Sequence, residues 1–403
     1  MKTIYSFFLL VAALCSAQDI RSIQLFNPNT NDETPVIGMN DRFILRFDDL
    51  SNGSTIYNYT IKHYDRNWED DGLFFTEYAD GSLNAQINNF TYSFNTLQRY
   101  THYELTFPND RIRPKISGNY EIIVYDNDVE QPLFKKRFVM VESNANIALN
   151  ITRTSDAKRP NINQRVEVKV VGAGSLLSSN VNSVTLNVIQ NNNWQQGIFN
   201  QKPSSVLGNQ VLFQQLNLAF PGNNEFYYFD NKIINQAYDM VAGAKSDETT
   251  NYTYLYPVQA YPLSYQYQPD VNGAFYFRRN DLGIERDADK EGDYSWVHFY
   301  LESDPYEKDI YVLGCFNDYK ADEKSKMIYD ESQRMYVAKI YLKQGFYSYI
   351  LGTKEKDGSI NLGEINGSFW QTENLYQAFL YYRPFGKNYD AVMGYGEFRR
   401  PIR

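Results

Sequence analysis

The chain has 403 residues, with 39 Lys plus Arg and 48 Asp plus Glu, so its net charge at neutral pH is −9. This acidic balance repels phosphate backbones and argues against a nucleic-acid partner. A mean hydropathy of −0.54 excludes a polytopic membrane protein, and a hydrophobic fraction of 43% excludes general disorder.

The chain begins with the pattern of a secretory signal peptide. Lys2 supplies a positive charge, residues 4–14 are apolar but too few to cross a bilayer, and small residues follow at 15–17. We predict a signal peptide over residues 1–17, cleaved after Ala17, and an exported mature chain. Cleavage removes Cys15, so Cys315 is left as a lone thiol that we expect to be a small buried hydrophobe.

The region 18–143 alternates apolar and polar residues with a period of two. Phe43, Leu45 and Phe47 form one such set, and further sets follow around Ile61, Leu105 and Ile122. Turn residues such as Asp80 and Gly81 separate these sets. The pattern predicts an antiparallel β-sandwich as the first domain.

A change of composition marks the next region. Residues 144–160 are polar and lack alternation, and regular Val positions follow at Val166, Val168 and Val170. We predict a second sandwich over 144–262.

A third sandwich is expected over 263–403, because strand patterns resume near Val297 after a charged, linker-like stretch. The predicted fold class is all-β, with immunoglobulin-like or carbohydrate-binding-module-like sandwiches in tandem. A tandem order predicts an elongated rod or arc.

Few residues have the spacing that catalysis or metal binding requires. His63, His102 and His298 lie far apart, so a zinc site is not predicted. Asp287, Asp289 and Glu291 imitate the first half of a calcium loop, but His298 stands where a bidentate Glu is needed. Glycine-rich nucleotide loops are also missing. We therefore expect no cofactor, no metal and no enzymatic activity.

Two other functions stay open at this stage. Trp194, Trp296 and Trp370 are candidates for stacking on sugars, although the position of Trp296 beside a strand favours a place in the core. A periplasmic glycan-binding protein is therefore the alternative hypothesis. A glycosidase is the third, because its two carboxylates come from distant strands and leave no spacing signal.

Several long motifs lie along the predicted mature chain. They are Ile23–Phe26, Leu45–Leu50, Tyr59–Asp65 with Trp68, Ser93–Tyr103 with Leu105–Asn109, Lys115–Tyr120, Leu342–Tyr349, Gly367–Phe369, Thr372–Asn374, Tyr381–Pro384 and Tyr389–Asp390. Together they resemble the type IX secretion system plug protein family. The resemblance spans nearly all of the predicted mature chain and is weakest in the middle.

This resemblance implies a periplasmic protein that docks on the giant outer-membrane β-barrel translocon of the type IX system. It implies occlusion of the periplasmic opening of the barrel, without a reaction and without a direct membrane span. The expected partner is therefore the barrel, and a small-molecule ligand is not expected.

Two motif segments are the candidate partner-contact loops. One contains His63, Asp65 and Trp68, and the other contains Arg99, Tyr100 and His102. A role in packing the first domain is the other interpretation of the same residues.

The third region also resembles glycogen-binding sandwich modules over Ile310–Tyr319. Tyr319 stands where those modules commonly present a sugar-stacking Trp. We read this likeness as shared fold and carry over no sugar site.

Overall fold

A computed structural model of the protein describes residues 19–28, 33–34, 36–51, 53–156, 159–172 and 183–399. The predicted signal peptide, residues 1–17, lies outside the described residues. Within these ranges, no helix has the combination of length and apolar character that a membrane span requires.

Strands dominate the described residues, which confirms the predicted all-β class. The first strands are β1 (Ile20–Phe26), β2 (Val36–Gly38), β3 (Phe43–Asp49), β4 (Tyr57–Tyr64), β5 (Ala79–Gly81), β6 (Ala85–Ile87), β7 (Phe90–Tyr92), β8 (Thr101–Phe107), β9 (Ile112–Pro114), β10 (Gly118–Tyr125) and β11 (Phe134–Val141). Next are β12 (Ala145–Arg153), β13 (Asn163–Gly172), β14 (Val184–Gln190), β15 (Asn193–Gln201), β16 (Ser205–Leu207), β17 (Gln210–Phe213), β18 (Ala219–Pro221), β19 (Tyr227–Asp230), β20 (Val241–Ser246), β21 (Asn251–Leu255) and β22 (Val258–Gln259). The last are β23 (Phe275–Phe277), β24 (Arg279–Asp281), β25 (Ile284–Arg286), β26 (Tyr294–Glu302), β27 (Ile310–Leu313), β28 (Ile328–Asp330), β29 (Met335–Lys343), β30 (Gly345–Lys354), β31 (Ile360–Asn361), β32 (Leu375–Tyr382) and β33 (Ala391–Arg399).

Among the residues that the structure describes, helices are few and short. They are α1 (Phe75–Tyr78), α2 (Ala288–Glu291), α3 (Gly363–Asn366) and a 3₁₀ turn over Cys315–Asn317.

The first sandwich packs the sheet β1-β3-β8-β7 against the sheet β2-β11-β10-β4-β6. Alternation places Phe43, Leu45 and Phe47 on the inner face, where each side chain is almost fully buried. Strand β2 runs parallel to β11, whereas the other pairs in these two sheets are antiparallel, as the sequence predicts. The inner face is rich in aromatic pairs, such as Phe47 stacked on Tyr103 at 5.0 Å.

The second sandwich is built from two separate parts of the chain. Its first sheet is β12-β13-β17-β16, with β18 also paired to β13, and its second sheet is β15-β14-β32-β33. Val184, Leu186 and Val188 of β14 are buried in the same core as Tyr376 and Leu380 of β32. The strands nearest the end of the chain therefore complete the second sandwich.

The third sandwich lies between these two parts in the sequence. One sheet is β19-β30-β23, with β27 and β31 also on β30, and the other is β20-β21-β26-β29-β28. Val297 and Phe299 of β26 face Tyr347 and Tyr349 of β30 in its core.

Strand pairing departs from the predicted boundaries at residues 262 and 263. Strands β19 to β22, predicted in the second domain, pair within the third sandwich, and β32 and β33, predicted in the third domain, pair within the second. The physical reason is that the edge of β14 needs a partner, and β32 supplies one over seven residue pairs from Val184 to Gln190. Alternation alone carries no information about which strand lies beside which.

The three sandwiches pack against one another, so the expected elongated rod or arc is wrong. The carboxylate of Asp48 in the first sandwich contacts Lys343 in the third, and Arg66 in the first contacts Asp390 beside β33. Tyr319 of the third donates a hydrogen bond to the carbonyl of Asn191 in the second, at 3.0 Å. Each sandwich thus contacts both of the others.

Candidate partner-binding surface

The first predicted loop lies where the first sandwich meets the second. His63 is buried in β4, and its Nδ1 lies 2.6 Å from a carboxylate oxygen of Asp71. Gly118 lies beneath the ring, where an added Cβ would come within 2.0 Å of Nε2 of His63. His63 is therefore part of the packing of the first sandwich.

Asp65 and Trp68 shape and fill the same junction. The Asp65 carboxylate accepts hydrogen bonds from the backbone N–H groups of Asn67 and Glu69, which closes the turn. The Trp68 ring packs edge-on against Trp194 of β15, with centroids 5.0 Å apart. The Arg137 guanidinium lies 4.5 Å above the Trp68 ring.

Two partly exposed arginines pair with a buried carboxylate at this junction. Arg66 and Arg383 both contact the Asp390 carboxylate at 2.9 Å. Burial alone would raise the pKa of Asp390, but hydrogen bonds from Arg383 and from the Arg66 backbone hold it below its ordinary value. The carboxylate therefore stays charged and joins the first sandwich to the second.

The second predicted loop lies where the first sandwich meets the third. Nδ1 of His102 lies 2.6 Å from one oxygen of Asp48, and Lys343 Nζ lies 2.7 Å from the other. The Tyr294 hydroxyl donates to this second oxygen, also at 2.7 Å. Burial would raise the pKa of Asp48, but the charge of Lys343 and the hydrogen bond from His102 lower it. A charged aspartate is thus held between the two sandwiches.

The 93–99 loop is fixed to the third sandwich by its backbone. The Asp293 carboxylate accepts hydrogen bonds from the N–H groups of Leu97 and Gln98, at 2.6 and 3.0 Å. The buried Tyr100 hydroxyl donates to the carbonyl of Gly292 at 2.9 Å. The side chains of Phe94, Leu97 and Arg99 remain exposed.

An aromatic face, in which Trp296 is exposed and the other residues are half-buried, lies on the outer side of the sheet β20-β21-β26-β29-β28. We define the aromatic face by residues on three neighbouring strands, which are Tyr252, Tyr254, Trp296, His298, Tyr300 and Tyr341. Strand register places Tyr252, Trp296 and Tyr341 in one row, and Tyr254, His298 and Lys339 in the next. The Trp296 and Tyr341 rings are 5.0 Å apart, and the Tyr254 and His298 rings 4.7 Å.

Trp296 is therefore exposed, and the core position favoured by the sequence is wrong. Trp296 alternates along β26 with the buried residues Val297 and Phe299, so its ring points out of the sandwich. Trp194, in contrast, is partly buried against Trp68 and Phe379. Tyr319, where glycogen-binding modules present a Trp, is only 3% exposed and offers no stacking surface.

The residues considered for metal binding have other partners. Asp287 caps α2 by accepting a hydrogen bond from the Asp289 backbone, and the Asp289 carboxylate pairs with Arg46 at 2.9 Å. The described residues contain no cluster of three or more His, Cys, Asp or Glu side chains placed to hold a metal ion. The calcium hypothesis therefore gains no support from the geometry.

A large cleft contains two carboxylates. It lies between the second and third sandwiches, has a volume of about 930 Å³, and contains Glu355 and Glu364. Burial would raise the pKa of Glu364, but hydrogen bonds, chiefly from Lys308, lower it to about 2. A general acid needs a raised pKa, so Glu364 lacks the property that this role in glycoside hydrolysis requires.

Two further groups that catalysis could use, Asp270 and Cys315, have raised pKa values. Burial raises the pKa of Asp270 to about 7, but Asp270 does not line the large cleft, and the N–H groups of Phe226 and Asn272 bind its carboxylate. Burial also raises the pKa of the Cys315 thiol to about 12, so it is not an activated nucleophile.

The six predicted contact residues thus differ in their surroundings. His63, Tyr100 and His102 are buried, Asp65 and Trp68 lie at the junction of two sandwiches, and Arg99 is exposed. Sequence reasoning placed Asp48, Lys343 and Asp390 in family motifs but gave them no contact role, and it missed Asp293, because their partners come from distant parts of the chain. It also missed the aromatic face, although the alternation of Trp296, His298 and Tyr300 along β26 was a readable signal.

Comparisons with known proteins complete the description. Residues 20–142 match the protein family described as Type 9 secretion system plug protein 1st domain. A solved structure described as a hypothetical protein from Parabacteroides merdae ATCC 43184 is similar over 94% of this chain and 97% of its own, with 29% identity and a TM-score of 0.89. No curated protein matches the sequence. Dimeric latent PorU from Porphyromonas gingivalis aligns over 96% of this chain and 34% of its own, but with 9% identity and a TM-score of 0.15 it carries no argument.

Proposed function

Residues 20–142 belong to the first-domain family of type 9 secretion system plug proteins, and from this premise we propose that the protein is a non-enzymatic plug of that system. It is exported to the periplasm, binds the giant outer-membrane β-barrel translocon and occludes the periplasmic opening of the barrel. The family match over the first sandwich is the observation that carries the proposal.

The rigidity of the molecule supports this function. A plug must keep its shape when it closes an opening, and the three sandwiches are joined by buried ionic contacts at Asp48 and Asp390. Breaking such a contact leaves an uncompensated buried charge, which resists separation of the sandwiches. The body therefore presents fixed surfaces to a partner.

The surroundings of the titratable groups support action by binding. The pKa of Glu364 in the large cleft is lowered, and the Cys315 thiol is held protonated. The match is also to a domain of a secretion system and not to an enzyme family. Occlusion requires contact area and shape, which a strand-rich body supplies without a reaction.

Two measurements test the proposal. A tagged copy, purified from gently solubilised membranes, should retain the barrel, whereas an untagged control should not. Deletion of the protein should make the outer membrane leakier only in cells that also have the barrel. Equal leakage in cells without the barrel would contradict the function, because a plug has no effect when there is nothing to close.

A further inference from the structure

One face of the third sandwich is partly covered by the first sandwich and partly open. On β26, Tyr294 is buried beneath the first sandwich, and Trp296, His298 and Tyr300 continue the same side of the strand into the exposed region. On β29, Lys343 is buried, whereas Lys339 on the same side is exposed. The aromatic face is therefore the open continuation of an interface that already exists within the molecule.

The covered part shows which chemistry complements this face. The first sandwich supplies the Asp48 carboxylate to Lys343 and the Tyr100 ring to Tyr294, whose centroids lie 5.6 Å apart. The Ser22 hydroxyl adds a hydrogen bond to the Tyr294 hydroxyl at 2.5 Å. The covered part of this surface is thus complemented by a carboxylate that pairs with Lys343 and by an apolar group that packs against the Tyr294 ring.

The open part carries the same groups without these partners. Lys245 lies 5.0 Å over the Tyr252 ring, and Lys339 is beside His298 in the register of β26 and β29. Among the described residues, neither lysine has a carboxylate within ion-pair distance. The carboxylates of the same sheet lie beyond the two rows, at the turn with Asp247, at Glu302 and at Asp330. The face is therefore locally cationic on an acidic protein.

We propose that the aromatic face is a docking surface for an acidic, partly apolar surface of a partner protein. The identification of this partner as the barrel translocon rests on the proposed function. Tyr and Trp dominate the binding energy of protein interfaces, because large rings bury much area with few rotatable bonds. Carboxylates of the partner pair with Lys245 and Lys339, as Asp48 pairs with Lys343.

The 93–99 loop extends this surface into the first sandwich. The Tyr341 hydroxyl donates to the side-chain carbonyl of Gln98 at 3.2 Å, so the loop lies directly beside the aromatic face. Phe94 and Leu97, with 50% and 41% of their surface exposed, add apolar area at this edge. A partner on the aromatic face therefore also reaches the family-matched domain.

The test measures binding of the full mature chain to the purified, detergent-solubilised barrel. Trp296→Ala and the double variant K245E/K339E should each weaken binding about tenfold or more. Tyr276→Ala is the aromatic control, because Tyr276 is 41% exposed, close to the 39% of Trp296, and lies on the opposite sheet. K324E/K356E is the charge control, since both lysines are exposed and outside the aromatic face. Circular dichroism checks that each variant is folded.

The outcomes separate this inference from the proposed function. If the unaltered chain binds the barrel and both face variants bind equally well, this inference is overturned and the plug function stands. If the unaltered chain does not bind the barrel, the plug function fails and this assignment fails with it. If glycogen or dextran sulfate quenches Trp296 fluorescence while barrel binding is unaffected in the variants, the face is a glycan surface and the inference is likewise overturned.

Discussion

Asp48 of β3 and Lys343 of β29 form a buried ion pair at 2.7 Å although 295 residues separate them in the chain. Both side chains are only 1% exposed, so the pair lies in the contact between the first and third sandwiches. His102 and Tyr294 also form hydrogen bonds with the carboxylate of Asp48. This arrangement gives a specific orientation to two sandwiches that are otherwise far apart in sequence.

Replacing Lys343 by Met should destabilise the protein by about 3 to 5 kcal/mol, because it leaves the Asp48 charge buried without its cation. The free energy of unfolding from urea titrations measures this. Lys356→Met is the control, since Lys356 is exposed and should change stability by less than about 0.5 kcal/mol. Equal stability of the two variants would show that the pair contributes nothing to the contact.

The contribution of His298 to stability should fall as the pH falls from 6.5 to about 4, whereas Asp270, whose pKa is raised from 3.8 to about 7, contributes in the opposite direction. Burial, together with the charges of Lys339 and Lys245, lowers the pKa of His298 from 6.5 to about 4. Between these values the unfolded chain binds a proton that the folded chain does not, so acid favours unfolding. Asp48 contributes at lower pH, because its pKa is lowered from 3.8.

The variant His298→Phe should remove part of this dependence, since it keeps a ring in place and cannot be protonated. Urea midpoints at several pH values test this, and the imidazole resonances of His298 give its pKa directly. An unchanged slope in the variant would assign the pH dependence to other groups.

Gly118→Ala should destabilise the first sandwich by about 1 to 3 kcal/mol or more, because the new Cβ would overlap the His63 ring. The backbone of Gly118 has a φ of 152° and the Cβ would lie 2.0 Å from Nε2 of His63. Gly243→Ala is the control, because its Cβ would meet nothing within 4 Å. Thermal unfolding compares the two variants, and a stable Gly118 variant would mean that the His63 ring moves freely.

The fragment 144–262 should not fold alone, because it lacks β32 and β33. Without them, the side of β14 that carries Val184, Leu186 and Val188 loses its neighbours in the core. The fragment 144–399, which includes both strands, should fold. Amide spectra of the two fragments test this, and dispersed resonances from the shorter one would contradict the strand order.

The strands could be predicted from the sequence, but the strands with which they pair could not. Alternation marks Phe43, Leu45 and Phe47 as one face of a strand, because the period of two follows from the geometry of the backbone. It does not show that β14 lies beside β32, because strand order depends on contacts between distant residues. The boundary at 262 was wrong for this reason.

The candidate partner-contact residues were likewise only partly predictable from the sequence. The motif around Tyr100 and His102 was identified from the sequence, and the structure places both in the contact with the third sandwich. Of their partners, Asp48 lies in the Leu45–Leu50 motif without any sign of what it contacts, and nothing in the sequence marks Asp293. Trp296 was assigned to the core because a strand with aromatic residues on both sides leaves its inner face ambiguous.

The position of β32 and β33 in the sequence also determines the order in which the three sandwiches can be completed when the chain emerges with its amino end first. The first sandwich is closed once β11 has emerged, and the third once β31 has, but the second must wait for residues 375–399. It is second in the sequence and last to be completed. During that interval the apolar side of β14 lacks its neighbour β32. A chaperone in the compartment where the chain folds would therefore find its binding site there.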